Sequence, residues 1–285
     1  MTQSTQSNRT ARTQQAEKTT TLVIGGTGKT GRRVAARLAA QGLPVRVGSR
    51  HAHVPFVWEA PSTWEAALEG VGAVYVAYHP DLAFPGAAEA VGAFSRYAVA
   101  RGAVRLVLLS GRGEEGARQG ELKLRESGAD WTILRCSWFN QNFSESFFLG
   151  PVLDGELALP TGDAVEAFLD VDDVAEVAVA ALTDPQHIGR IYELSGPRLM
   201  SYGEVADELS KATGRPVIYT PVTCEQYRAV LEEKGLPVAF AELFGIVLDG
   251  RNTHLVHGVE EALGRKPRDF SEFARDAATT GVWNV

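Results

Sequence analysis

Gly25, Gly28 and Gly31 stand three residues apart, directly after the short apolar run 21–24 and just before Val34 and Leu38 recur at helical spacing. A G-x-x-G-x-x-G turn between strand and helix lets main-chain amides approach a pyrophosphate. The first glycine makes the tight turn, the second admits the phosphates, and the third removes a side chain where helix and strand pack. The helix N-terminus adds about half a unit of positive charge facing the anion. Thr27, Lys29 and Thr30 lie inside the same turn and join the glycines as candidate cofactor ligands. The competing reading is a glycine-rich turn with no ligand. Gly28-Lys29-Thr30 also invites a nucleotide-hydrolase loop, but that motif needs a glycine five positions before Gly28, and Val23 is there.

The end of the second strand should discriminate between coenzymes. An acid about 20 residues beyond the glycine loop holds a ribose 2′-OH, whereas an arginine suits a 2′-phosphate. The chain reads Ser49-Arg50, with no Asp or Glu between Leu43 and Trp58. NADP(H) is therefore expected over NAD(H), with Ser49 and Arg50 as ligands. Lys29 or Arg33 could supply the same charge, and Arg50 could equally be a solvated loop residue. Tyr78, His79 and Pro80 follow the run 73–77, where the nicotinamide-side ribose should pass. Tyr78 is a candidate cofactor contact. His79 is either a pocket residue or a turn histidine with no chemical task. Ser110, ending the run 105–109, could bond cofactor or cap the next helix. Trp138, Phe139 and Asn142 follow the run 132–134 as candidate walls of a flat apolar pocket, against the alternative of ordinary core packing. Cys136 reads as a core residue. The pairs His51/His53 and His254/His257 lack companion ligands at metal spacing, so no metal is expected. Asp170, Asp172 and Asp173 precede a helix and read as capping charges.

These residues need a scaffold that delivers strand ends to one edge. Apolar runs at 21–24, 45–47, 73–77, 105–109, 132–134 and 191–194 alternate with helical stretches at 62–70, 86–101, 114–127 and 172–182. That alternation implies right-handed βαβ units and a parallel, doubly wound α/β sheet of Rossmann type, in which 73–77, 105–109 and 132–134 would be the fourth, fifth and sixth strands. Residues 20–136 read as the cofactor-binding core. Residues 137–285 should complete the sheet and form a smaller, interleaved α/β substrate region, with a turn-rich stretch at 151–163 and amphipathic helices at 201–213 and 225–234. Residues 1–19 are almost wholly polar and are expected to be a disordered tail.

Composition narrows the options. Among 285 residues, 35 Asp+Glu outweigh 28 Lys+Arg for a net charge of -7, which argues against a nucleic-acid partner. No apolar run reaches the length of a membrane span. Two cysteines argue against a disulfide framework and point to a reducing, cytoplasmic setting.

From residue 22 to about 273 the chain resembles the NmrA-like, atypical short-chain dehydrogenase/reductase family. The stretches that carry the likeness are GGTGKTGRRV, RLVLLSG, ESGADWTILRCSWFNQNF, AFLDVDDVAEVAVAALTDP, YELSGPRLMSYGEVADELSKATGRPV and LGRKPRDFSEFA. GGTGKT, the Ser-Arg pair and the WF-x-x-NF element resemble the ergot-alkaloid (festuclavine and agroclavine) dehydrogenases, and quinone reductases share the outline. One departure matters. If Glu121 matches the family glutamate, the Tyr and Lys of the usual Tyr-x-x-x-Lys pair fall on Gly113 and Ala117, which removes the ordinary proton donor. The resemblance implies NADPH-dependent hydride transfer to a ring-containing acceptor, a cyclic iminium or a quinone. Its alternative is an NADP(H)-sensing regulator that binds a protein partner without turnover. A homodimer is compatible with either.

Overall fold

A computed structural model describes residues 19–233, 235, 238, 244 and 249–285. Residues 1–18 of the expected tail 1–19, and Lys234, the end of the expected helix 225–234, lie outside the described residues.

Short apolar segments that must hide both faces build the centre. β1 (Thr20–Ile24) is followed by α1 (Lys29–Ala40), β2 (Val45–Gly48), α2 (Trp64–Leu68), β3 (Val71–Val76), α3 (Ala87–Ala100), β4 (Arg105–Gly111), α4 (Glu115–Arg125) and β5 (Asp130–Cys136). After α5 (Asn142–Glu145), α6 (Leu149–Asp154), β6 (Glu156–Leu159), β7 (Val165–Glu166) and α7 (Val171–Thr183), β8 (Arg190–Leu194) returns to the sheet. The six strands are parallel in the order β2-β1-β3-β4-β5-β8. This is the doubly wound Rossmann-type α/β fold the alternation implies.

Strand residues alternate between two cores, as a pleat of period two requires. Leu22, Ile24, Val74, Val76, Leu106 and Leu108 face α2, α3 and α4. Val23, Tyr75, Val107 and Leu134 face α1 and α7. A third core, centred on Phe143, Phe148, Phe168, Tyr202 and Phe270, belongs to the C-terminal region. That region adds β9 (Met200–Ser201), α8 (Tyr202–Thr213), β10 (Ile218–Pro221), α9 (Cys224–Glu233), α10 (Gly258–Leu263) and α11 (Phe270–Thr279).

Two local expectations change. No strand forms between β2 and β3, so the runs counted fourth, fifth and sixth are β3, β4 and β5. Phe56, Trp58 and Trp64 instead fold that segment into an aromatic cluster with Phe94, where Phe56 stands 5.3 Å and Trp64 5.4 Å from the Phe94 ring. The stretch 151–163 is not all turn: α6 ends at Gly155 (φ 80°), and β6 pairs with the distant β10. Pro151 sits in the first turn of α6, where an N–H has no helical partner to lose.

The strand order reverses between β1 and β3. A crevice therefore opens there at the carboxyl ends of the strands, and the loops after β1, β3, β4 and β5 all reach it.

Candidate active site

The loop after β1 is built by close backbone approach. Gly25 takes φ 70°, a conformation that favours glycine, and the Gly28 N–H donates to the Gly25 carbonyl at 2.9 Å. A Cβ on Gly31 would lie 2.7 Å from the Gly25 carbonyl carbon and 2.8 Å from the Gly26 Cα. The third glycine thus lets α1 descend onto the loop itself, closer than the strand contact expected from sequence. Gly28 caps α1 with no side-chain hydrogen bond, and no acid stands in the first turn. The positive helix end is left to face the crevice, so the cradle fits a pyrophosphate.

Beside the loop lies a cavity of about 570 Å³, lined by Thr27, Val47, Ser49, His51, Ala52 and His53 among others. The Ser49 carbonyl accepts from the Phe56 N–H at 3.0 Å and the Ala52 N–H at 3.3 Å, which folds residues 49–56 back across its rim. Three cations were candidates for a 2′-phosphate, and they differ in commitment. Arg33 is held by Glu145 at 2.7 Å and Asp172 at 3.3 Å. The Lys29 ammonium donates to Asn142 Oδ1 at 2.8 Å. Burial brings its pKa down to about 8, against the pull of Glu145 and with help from Arg32. Arg50 is exposed and has no hydrogen-bond or ion-pair partner among the described residues.

These contacts tie the segment after β5 to the helix that carries the phosphate loop. Asn142 and Glu145 open and close α5, and Glu145 also pairs with Arg32. Buried Gln141 donates to Asp170 Oδ1 at 3.0 Å, while Asp170 caps α7 by accepting from the Asp172 N–H at 2.7 Å. Capping therefore describes Asp170. Asp172 instead pairs with Arg37 at 2.6 Å, and fully buried Asp173 binds Arg265 at 2.7 Å together with Arg268.

The remaining candidates are spread along the strand ends. Tyr78 packs its ring 5.0 Å from that of Trp58, and His79 is exposed. Ser110 is buried and donates to Glu121 Oε1 at 2.7 Å, inside a network where Arg135 also grips Glu121. Trp138 stacks on Phe148 at 6.2 Å and Phe244 at 5.4 Å. Phe139 bridges to Leu169, and Asn142 is buried. Phe143 and Phe148 belong to the core. Cys136 is buried, and burial raises its thiol pKa. Among the described residues no group of three or more His, Cys, Asp or Glu could hold a metal ion, and no helix is long and apolar enough to cross a membrane.

Two polar groupings at this edge have no sequence motif. Arg112, buried at the end of β4, donates to the His254 carbonyl at 2.9 Å and to Ser137 Oγ at 3.3 Å. It faces Glu166, whose pKa burial pushes up to about 7 against the Arg112 charge. The second grouping is Asp81, after β3, with Glu114, after β4; the Asp81 carboxyl helps to raise the Glu114 pKa. The only signal in the sequence was position: polar residues just past a strand of a parallel sheet.

The profile of the NmrA-like family matches residues 120–275, and an NAD(P)H-binding profile matches residues 25–185. Agroclavine dehydrogenase of Claviceps fusiformis is 32% identical, with 93% of this chain and 98% of the relative covered. NAD(P)H azoreductase of Xenophilus azovorans is 31% identical over 89% of this chain and 96% of its own. The crystal structure of an NADPH-dependent quinone oxidoreductase from Escherichia coli superposes with a TM-score of 0.72 at 21% identity, covering 90% and 99% of the two chains.

Proposed function

The chain belongs to the NmrA-like family, and from that premise we propose that it is an NADPH-dependent reductase of ring-containing acceptors, a cyclic iminium or a quinone. At the coarser level it is an NAD(P)H-dependent oxidoreductase, in keeping with relatives named agroclavine dehydrogenase and NAD(P)H azoreductase. The observation that carries the reading is the phosphate cradle: a left-handed Gly25, α1 pressed onto it at Gly31, and a helix end with no side-chain cap, all opening on the crevice between β1 and β3.

In this reading Gly25, Thr27, Gly28, Thr30 and Gly31 hold the pyrophosphate, and Ser49 and Arg50 take the 2′-phosphate. Residues 20–136 bind coenzyme, and residues 137–285 complete the sheet and wall the acceptor site. The bound nicotinamide supplies hydride. The chain's own task is to orient the acceptor and keep water out, effects that contribute roughly 7–11 kcal/mol at best. Trp138, held by Phe148 and Phe244, offers a flat aromatic wall for a ring. An iminium already carries its charge, so hydride alone neutralises it, and a quinone yields a stabilised phenolate.

The vacant tyrosine and lysine positions, Gly113 and Ala117, favour a second reading, an NADP(H) sensor that signals to a protein partner. Purified protein mixed with NADPH and a panel of quinones and cyclic iminium salts separates the two. Consumption of the nicotinamide absorbance supports the reductase, and tight binding without consumption across the panel supports the sensor.

A further inference from the structure

Glu114 sits one residue past Gly113, the position left without its tyrosine, and its backbone caps α4 through the Arg118 N–H. Its side chain does not cap the helix. It folds back over the end of β4, where a Cβ on Gly111 would collide with the carboxyl group. Gly111 pairs with Cys136 on β5, so the carboxyl lies on top of the sheet edge between β4 and β5. The loop after β3 supplies its partner. Asp81 accepts from the Ala83 N–H at 2.8 Å with Oδ1, and its carboxyl is near enough to that of Glu114 to raise the Glu114 pKa.

Two neighbouring carboxyls away from water disfavour a charge on both, so one of them keeps a proton. Glu114 Oε2 is buried, and among the described residues it has no hydrogen-bond partner. Among the described residues no cation pairs with it. Arg112 turns to Ser137, Glu193 and the carbonyls of Asn252 and His254. Arg251 pairs with Asp249 and donates to the Gly113 carbonyl, and Arg118 reaches exposed Glu115. The groups that do face Glu114 are Asp81 and Cys136, and neither is a cation.

We propose that Glu114, sharing a proton with Asp81, is the proton donor to the acceptor, in place of the missing tyrosine. The proposal rests on the reductase reading and widens it to neutral acceptors whose reduced form is a strong base, such as an azo compound. There, hydride from reduced nicotinamide goes to one nitrogen and opens the N=N π bond. The Glu114 O–H bond breaks, and the other nitrogen takes that proton. The product is a hydrazo compound and the nicotinamide is oxidised, with solvent restoring the proton through Asp81. Burial first and the Asp81 carboxyl second push the Glu114 pKa up to about 8, so the proton is present at neutral pH.

The test compares a neutral azobenzene, which needs hydride and a proton, with a triarylmethyl cation, which needs hydride alone. Glu114→Gln keeps the size and shape of the side chain. It should lower azobenzene turnover about a hundredfold relative to cation turnover, within the ordinary range for general-acid catalysis. Wild-type azobenzene turnover should fall as pH rises through about 8, and Asp81→Asn should move that fall to lower pH by removing the like-charged neighbour. Independent of activity, infrared spectra at pH 7 should show a protonated-carboxyl band that Glu114→Gln lacks. Azobenzene turnover undiminished in Glu114→Gln, or a band unchanged by it, overturns the donor role alone. No turnover of either probe by protein that binds NADPH overturns the reductase reading and the donor role with it.

Discussion

Arg50 is the residue whose replacement reads most directly on coenzyme choice, because the neighbouring cations are already engaged and Arg50 is not. Arg50→Asp should invert an NADPH preference. A charge-assisted hydrogen bond contributes about 1.5–3 kcal/mol, and about 1.4 kcal/mol is a factor of ten. The ratio of kcat/KM for NADPH over NADH should fall at least about tenfold, measured on one acceptor; an unchanged ratio removes Arg50 from the site. The glycine turn was legible because its spacing after an apolar run marks a strand-to-helix junction before any fold exists. Asp81 and Glu114 were not. A carboxylate on a polar loop reads as a solvated charge, and only the packing of the loops after β3 and β4 brings these two half-buried carboxyls together.

At the scale of elements, the helix that carries the phosphate loop depends on one absent side chain. Gly31→Ala would force a methyl against the Gly25 carbonyl and Gly26. Overpacking of this kind costs about 1–3 kcal/mol, and coenzyme affinity should fall with it; calorimetry with NADPH and a melting curve check both. Asp173 anchors a different joint, where α7 meets the segment before α11 through Arg265 and Arg268, and Arg268 also donates its N–H at 2.7 Å. Asp173→Ala should destabilise by about 3 kcal/mol, the low end for breaking a buried pair. The two guanidiniums keep Glu176 and are partly exposed. Urea unfolding measures the loss, and a change under about 0.5 kcal/mol, the level of an ordinary surface substitution, would refute the anchoring role. Long periodic helices were readable to within a residue or two, because each buries one stripe. β6 and β10 were not, because these two short strands lie outside the strand–helix alternation and each pairs with the other some sixty positions away.

For the molecule as a whole, titration works in opposite directions at its two ends. Asp269, bound to Arg198 at 2.8 Å, is held down to about 2. Its stabilisation is present above the ordinary carboxylate range, about pH 4, and is lost as pH falls toward 2. Glu114 and Glu166 are raised to about 8 and about 7. Their folded forms hold protons that the unfolded chain has released, so their contribution is complete below about pH 4 and disappears as pH rises through 7 and 8. The urea midpoint should therefore peak in mildly acidic solution, near about pH 5, and decline on either side. A Glu114→Gln, Glu166→Gln double variant should flatten the alkaline decline; a wild-type midpoint still climbing between about pH 5 and 8 would contradict this. The parallel, doubly wound sheet could be anticipated from strands alternating with helices, but which charges end up buried depends on the tertiary fold.

Lys29 begins the helix proposed to receive the phosphates, and it also grips Asn142, the first residue of the short helix behind Trp138. One side chain therefore belongs to both halves of the reaction, and whatever fills the first half alters the second. Under the proposed function the expected kinetic consequence is an ordered sequence: NADPH enters first, the acceptor second, and NADP⁺ leaves last. Product inhibition by NADP⁺ should then be competitive against NADPH and mixed against the acceptor, and severing the link with Asn142→Ala should loosen that order toward random entry.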